Sequence, residues 1–470
     1  LAALFERSES VAGVAPFLVT AGSEPPAGVA FALDAPTTFD NLVRVLRAMQ
    51  VGKPLLLEGS PGVGKTALVS SLAQLAGHRL VRVNLSDQTD LMDLFGSDLP
   101  TASGGFAWCD APFLQALRRG DWVLLDEINL ASQSVLEGLN ACLDHRAAVY
   151  IAELDREFSL APGFRLFAAQ NPLAQGGGRK GLPRSFVNRF TQVFMHELQP
   201  ADLSAICQRV HVHATEHTRT MVLQLNTLMH QTCARRAAFS AGAPWEFNLR
   251  DVGRLLDALR LRAAGRPGLA VDRLVDVLYV QRMRTLADRK HVRRLFAEAA
   301  NRPLDAPPPA LQLTSAAVQV GGAVLPRATG GVIDASPHVP RLRALHSALP
   351  ALEALATCVE MRWPAILVGS AGSGKTALVR WLAAAAGHRL VEFAMNSGVD
   401  TSEILGGFEQ VDVQRHCTRL ARLAQQKAVA APWGVLSERI SRASHAVMRA
   451  MSDRSALCVH VESLAALLAE

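Results

Sequence analysis

The sequence predicts an α/β fold: a parallel sheet with helices on both faces, then an all-α lid subdomain, then a partial second α/β module ending in a helical tail. Three observations predict it. Short apolar runs alternate with helical segments between residues 36 and 198. The run "LLLEGSPGVGKTALVSSL" at 55–72 returns as "AILVGSAGSGKTALVRWL" at 365–382. From about 200 to 300 every segment has helical spacing and none reads as a strand. Apolar strands that alternate with helices bury both faces of a parallel sheet.

In order, residues 1–35 read as a lead-in, loop-like through "AGSEPPAGVAFALDAP". The first α/β core spans 36–198 and opens with a helix at 37–50, for which Thr37 or Thr38 is an available cap. "PLLLEG", "RLVRVNL", "DWVLLDEINLA", "FRLFAAQNP" and "FTQVFMHEL" are its strands. The helical lid spans 199–300, and "NRPLDAPPPA" opens a Pro-rich linker over 301–335. The second core starts over 336–412, with a helix near 338 and strands "PAILVG" and "RLVEFAMN"; 413–470 reads as a helical insertion or tail. "GHRLVRVNLSDQTDLMDLFGSDL" (77–99) parallels "GHRLVEFAMNSGVDTSEILGGFEQVD" (387–412), so a whole domain-sized module repeats.

Composition narrows the classes. With 470 residues, 49% of them apolar, the chain has material for about three domains with real cores. A net charge of +6, with both signs interspersed, does not argue for nucleic-acid binding, and no basic-aromatic groove is legible. Seven scattered cysteines without a CxxC pair predict neither disulfides nor zinc. Glu6 and Arg7 stand where a signal peptide needs an apolar core, and no run reaches the roughly 20 apolar residues of a membrane span. These features predict a soluble intracellular chain with no membrane partner. Its missing initiator Met and abrupt end read as a piece of something longer.

The chemistry is carried by GxxxxGK[ST], which occurs twice. In the first copy, Gly59, Ser60, Pro61, Gly62, Val63 and Gly64 form a bend whose N–H groups can converge on phosphate oxygens. Lys65 reaches the β/γ-phosphates and Thr66 offers a hydroxyl to Mg²⁺, at the positive end of the following helix. Gly369, Ser370, Ala371, Gly372, Ser373, Gly374, Lys375 and Thr376 repeat the cradle, with Thr376 as its metal hydroxyl. "WVLLDEINLA" ends an apolar strand in Asp126, suited to hold hydrated Mg²⁺, and Glu127, suited to deprotonate a water. Gln170 and Asn171 end the next apolar strand, where an amide can position that water or simply close a turn before Pro172. Arg184 or Arg189 could be donated to a neighbour's terminal phosphate, a contribution of roughly 10³–10⁵ in rate where it operates. Arg250 could touch phosphate from the lid or pair structurally. After "GGFEQVD" no strand ending in Asp-Glu and no Asn-Pro follows, so the second copy can bind phosphate but carries no hydrolytic residues.

Read in order, the glycine-rich loop, "LLDEIN", "AAQNP", "LPRSFVNRF" and "FNLRD" resemble an AAA+ ATPase of the MoxR/dynein-related branch. "NLSDQTDLMDLFGSDLP", "LDEINLASQSVLEGLNACLDHR" and "QNPLAQGGGRKGLPRSFVNRFTQVF" resemble its giant single-chain members, whose six fused modules remodel precursors of the large ribosomal subunit. The match reads as the fifth module and the opening of the sixth. The resemblance implies Walker roles for Lys65, Thr66, Asp126 and Glu127, the first-sensor role for Asn171, the arginine finger for Arg189 and the second sensor for Arg250. It implies a β-hairpin insertion over 145–167, ATP and Mg²⁺ as cofactors, and a nuclear location. The implied partners are neighbouring AAA+ modules of the same polypeptide and pre-60S particles with their assembly factors. Two other readings remain: a MoxR-type chaperone or chelatase-like ATPase that assembles as a homohexamer, and a structural module stabilised by a bound nucleotide.

Overall fold

The structure, a computed structural model, describes residues 4–25, 31–100, 105–143, 148–172, 180–235, 239, 241–243, 245–263, 270–328, 345–396, 399, 404 and 406. Before the first glycine-rich loop, β1 (Glu6–Arg7), β2 (Val11–Val14) and β3 (Phe17–Thr20) form an antiparallel sheet. The expected loop-like lead-in is thus a folded element, with Ala12, Val14 and Val19 buried. Strands of two to four residues joined by tight turns show too little alternation to stand out from a loop.

Helix α1 (Pro36–Met49) turns Leu42, Val45, Leu46 and Met49 inward. Pro36 sits in its first turn, where the missing N–H costs nothing. Neither Thr37 nor Thr38 caps it. The N–H of Thr37 donates instead to Asp202 Oδ1 at 2.9 Å, a carboxylate no local pattern could reveal.

The first core continues with β4 (Leu55–Glu58), α2 (Lys65–Ala76), β5 (Leu80–Asn84), α3 (Leu91–Phe95), and the paired strands β6 (Gly96–Pro100) and β7 (Phe106–Asp110). Then come α4 (Pro112–Arg119), β8 (Trp122–Asp126), α5 (Gln133–Leu143), β9 (Ala148–Ile151), β10 (Arg156–Ser159), β11 (Arg165–Gln170), α6 (Arg184–Val187) and β12 (Thr191–Phe194). Five strands form one parallel sheet in the order β12-β4-β11-β8-β5. Alternate residues go to opposite cores. Leu55, Leu57, Leu124, Phe167 and Ala169 pack with α1 and α2, while Leu56, Val123, Leu125, Leu166 and Ala168 pack with α4 and α5. The β9–β10 antiparallel pair, with Ile151 opposite Arg156, matches the expected hairpin insertion.

The lid is all-helical, as expected: α7 (Pro200–Val210), α8 (Glu216–Ala234), α9 (Leu249–Ala263), α10 (Val271–Val275), continued by a π turn at Asp276–Val280, and α11 (Leu286–Ala300). Its separate core holds Val222, Leu225, Phe247, Leu255, Tyr279 and Phe296.

Two expectations fail beyond residue 300. The linker is not simply extended: β13 (Leu311–Leu313), β14 (Ala317–Val320) and β15 (Ala323–Pro326) form a second small antiparallel sheet. With α12 (Leu349–Glu360) and α13 (Lys375–Ala386) it encloses a core of Val318, Val320, Leu325, Leu352, Leu355 and Leu382. The helix expected from about 338 is described only from a short turn at His346–Ala348 onward. "PAILVG" and "RLVEFAMN" are not strands, and Ile366 is 90% exposed where its counterpart Leu56 is buried. The reason is pairing. In the first core β4 lies between β12 and β11, whereas among the described residues nothing flanks 364–369. Residues 407–470, with the expected tail, lie outside the described residues.

Candidate functional site

All five strands of the core sheet point the same way, so their carboxyl ends form one rim, the edge at which open α/β sheets place ligands. Gly59 follows β4, Asp126 ends β8, Glu127 follows it, and Asn171 follows β11. Parallel register sets Glu58 beside Gln170 and Asn84 beside Asp126.

The glycine-rich loop runs into α2. Gly62 and Gly64 have φ of +82° and +92°, which side chains with a Cβ rarely adopt. A Cβ on Gly59 would stand 3.0 Å from that of Met195. The loop is therefore shaped by residues that cannot be larger. Lys65 is 7% exposed, and its Nζ donates to Gly59 O (2.6 Å), Ser60 O (3.2 Å) and Asn171 Oδ1 (2.8 Å). Ser60 Oγ donates to Glu197 Oε1 at 2.6 Å.

Asn171, 6% exposed, passes its other amide group to Glu127: Nδ2 donates to Oε1 at 2.6 Å. The backbone of Glu127 is left-handed at φ +56°, an uncommon conformation of the kind that collects at working sites. Asn129 Nδ2 donates to Asn171 O at 2.9 Å, which fixes the turn after β11. On the other side, Thr66 Oγ1 donates to Asp126 Oδ2 at 2.9 Å, and the same oxygen accepts from Arg82 Nη2 at 2.6 Å. Gln170 faces away and donates to Glu58 Oε2 at 2.9 Å. Of the two amides, Asn171 is the one the site uses.

A cavity of about 820 Å³ opens beside the loop, bounded by Ser60–Val63 on the core side and by Asn226, His230, Trp245, Phe247 and Asn248 on the lid side. Arg250, the expected second sensor, is exposed in the first turn of α9 and is not part of this wall; Asn248 and Leu249 are. Arg189 donates from Nη1 to Asn140 O at 2.8 Å, while Arg184 is exposed at the start of α6. In the second copy, Lys375 Nζ donates to Gly369 O (3.0 Å) and Ser370 O (2.8 Å), reproducing the first loop. Gly372 and Gly374 likewise have positive φ, but Gly369, Ser370 and Thr376 are exposed.

The residues fit a magnesium-bound nucleotide. A buried ammonium, glycines and the first-turn amides of α2, which have no intrahelical acceptors, suit phosphate oxygens. A hydroxyl sharing a carboxylate oxygen suits a hard divalent cation. Inspection of the sequence missed Arg82, Asn129 and Glu197, because each acts through partners brought close only by the sheet.

The AAA domain family (dynein-related subfamily) matches residues 54–190 and again 364–453, and the midasin AAA lid domain family matches 202–303. The chain belongs to the AAA ATPases of the dynein-related subfamily. Within that subfamily it is similar to midasin: 44% identical over 441 residues to midasin of Dictyostelium discoideum, covering 88% of this chain and 7% of that protein. It is 38% identical over 404 residues to midasin of Giardia intestinalis, covering 82% and 8% respectively. NorQ of Paracoccus denitrificans is 36% identical over 119 residues, 25% of this chain and 44% of that protein. The chain thus spans less than a tenth of the length of the midasins it matches.

Proposed function

We propose that residues 54–303 form an ATP-hydrolysing module, and that it belongs to a midasin-like protein that remodels precursors of the large ribosomal subunit and releases their assembly factors. The observation that carries the chemistry is the hydrogen-bonded path from Lys65 through Asn171 to Glu127, which joins three motifs 106 and 44 residues apart. Bound Mg²⁺ would supply charge neutralisation between the β- and γ-phosphates. Thr66 and Asp126 would hold it. Lys65 would give up a loop carbonyl or Asn171 to meet a phosphate oxygen. Glu127, held at carboxylate Oε1 by Asn171, would orient a water and take its proton. Asn248 and the lid aromatics would close over the nucleotide, and hydrolysis would change the angle between lid and core.

The resemblance stated above supports the ribosomal client, the nuclear location and the neighbouring modules as partners; a finger from Arg184 or Arg189 would serve the adjacent module. The covalent repeat counts against a homohexameric MoxR-type assembly, even though NorQ matches the core. At Gly369–Thr376 the reading is a phosphate cradle, because no acidic pair stands beside it among the described residues.

The test uses the 470-residue chain. Lys65→Ala should abolish binding of a fluorescent ADP analogue. Glu127→Gln should keep that binding and lower phosphate release by at least about 100-fold, the scale of a lost general base. Hydrolysis unaffected by Glu127→Gln would overturn the assignment.

A further inference from the structure

We propose that Arg82 is a resident counter-cation of the metal site, one that competes with Mg²⁺ for Asp126 and so sets the Mg²⁺ concentration at which nucleotide is held. The inference rests on the reading of Gly59–Thr66 and Asp126 as a nucleotide site and adds a residue that reading does not use.

Arg82 lies in the middle of β5, the edge strand of the sheet, opposite Leu124 of β8. Partners in parallel register present their side chains to the same face, so Arg82 shares a face with Leu124 and with Asp126, two residues further along. Its guanidinium covers that diagonal step. Nη2 reaches Asp126 Oδ2 at 2.6 Å, the same oxygen that accepts Thr66 Oγ1 at 2.9 Å. Thr66 and Asp126 are the pair through which this chain would hold a divalent cation, so Arg82 sits on the oxygen that the cation would need. Asp126 is 7% exposed, and such a carboxylate needs a positive or donating neighbour. Arg82 supplies one from the solvent side: its side chain is 57% exposed, so it can turn out into water when a cation takes its place at Asp126. Asp126 is thus held among packed neighbours, while the Arg82 guanidinium meets solvent.

The repeat sharpens the point. Aligning "GHRLVRVN" with "GHRLVEFA" puts Glu392 at the position of Arg82. Glu392 is engaged elsewhere, accepting from Arg380 Nε and Nη2, each at 2.6 Å. The second loop therefore has an acid where the first has a competing cation, and the device belongs to the first loop alone.

Mg²⁺ is titrated against the 470-residue chain holding a subsaturating fluorescent ADP analogue, and the Mg²⁺ concentration for half-maximal binding is read. Arg82→Ala should lower it by roughly two- to five-fold, the range set by a partly exposed ion pair. Arg79→Ala removes the same charge from the residue just before the same edge strand, beside Asp121 rather than Asp126, and should leave the midpoint unchanged. Melting without nucleotide should show Arg82→Ala losing stability in EDTA and regaining it as Mg²⁺ is added. An unchanged midpoint in Arg82→Ala, or an equal shift in Arg79→Ala, would overturn the proposal while leaving the nucleotide site intact. If Lys65→Ala still binds the analogue, the underlying site reading fails instead.

Discussion

One residue, Asn171, binds an ammonium and a carboxylate through its side-chain amide and accepts from Asn129 at its backbone carbonyl. Its side-chain carbonyl faces Lys65 and its NH₂ faces Glu127; the reverse orientation would set donor against donor and acceptor against acceptor. An alanine there would leave the Lys65 ammonium and the Glu127 carboxylate without the link between them. Asn171→Ala should therefore cut phosphate release by roughly 10²–10³, the scale seen when one preorganised donor is removed. Affinity for ADP should move by only a few-fold, because Lys65 keeps the carbonyls of Gly59 and Ser60. Parallel measurement of phosphate release and equilibrium binding separates the two effects, and equal losses in both would instead mark Asn171 as a structural support. Gln170, on the opposite face of β11, gives the contrast: its bond to Glu58 stiffens the rim, and Gln170→Ala should spare catalysis.

At the scale of elements, Asp202 binds two helix starts together. Oδ1 accepts from Thr37 at the start of α1, and Oδ2 accepts from Gln199 at the start of α7, at 2.7 Å. Each resembles a lost cap when removed, so Asp202→Ala should cost about 2–4 kcal/mol by chemical denaturation, and Asp202→Asn about half of that. The lid has its own pH response. Burial holds the His211 imidazole below its ordinary range, with His213 and Arg219 acting in the same direction and Asp257 opposing. The unfolded chain therefore binds a proton that the lid resists. Stability is full above the ordinary histidine value of about 6.5 and is lost as pH falls through the lowered one. Tm should fall between about pH 7.5 and 5.5, with a shallower slope in His211→Gln.

These examples show what was legible in the sequence. Lys65, Thr66, Asp126 and Glu127 stand out because phosphate and metal chemistry require fixed residues at fixed spacing beside a strand end. The three inner core strands, β4, β8 and β11, stand out because both faces are apolar. Asp202 does not, since its partner is 165 residues away, and neither does Arg82, which acts across a diagonal of the sheet. The sheets β1–β3 and β13–β15 hide because their strands have at most four residues. "PAILVG" misleads in the other direction: it has the composition of a strand but no strand pairs with it among the described residues.

Across the whole molecule, each glycine-rich loop has a small antiparallel sheet ahead of it, docked in the same way. Gly22 N donates to Ala76 O at the end of α2, and Ala328 N donates to Ala386 O at the end of α13. Each small sheet therefore anchors the far end of the helix whose near end opens on the loop. The lid of the first copy is joined to the second sheet by one buried acid. Glu353, 5% exposed, accepts at Oε1 from Arg273 Nη1 on α10 (2.8 Å) and from Gly322 N before β15 (2.9 Å). Met361 and Trp363, just past α12, pack onto the lid core beside it. Lid motion in the first copy would thus be delivered to α12 and onward to the second loop. Removing one partner of such a pair strands a buried charge and costs about 3–5 kcal/mol, whereas replacing both with apolar groups can cost little. Arg273→Met should therefore destabilise strongly, and Arg273→Met with Glu353→Leu should recover most of the loss, less the one bond to Gly322. Hydrogen exchange at α12 reads the coupling. In the single variant α12 should open at lower free energy than the lid, and in the native chain the two should open together. Independent opening in the native chain would mean that the second loop does not follow the first lid.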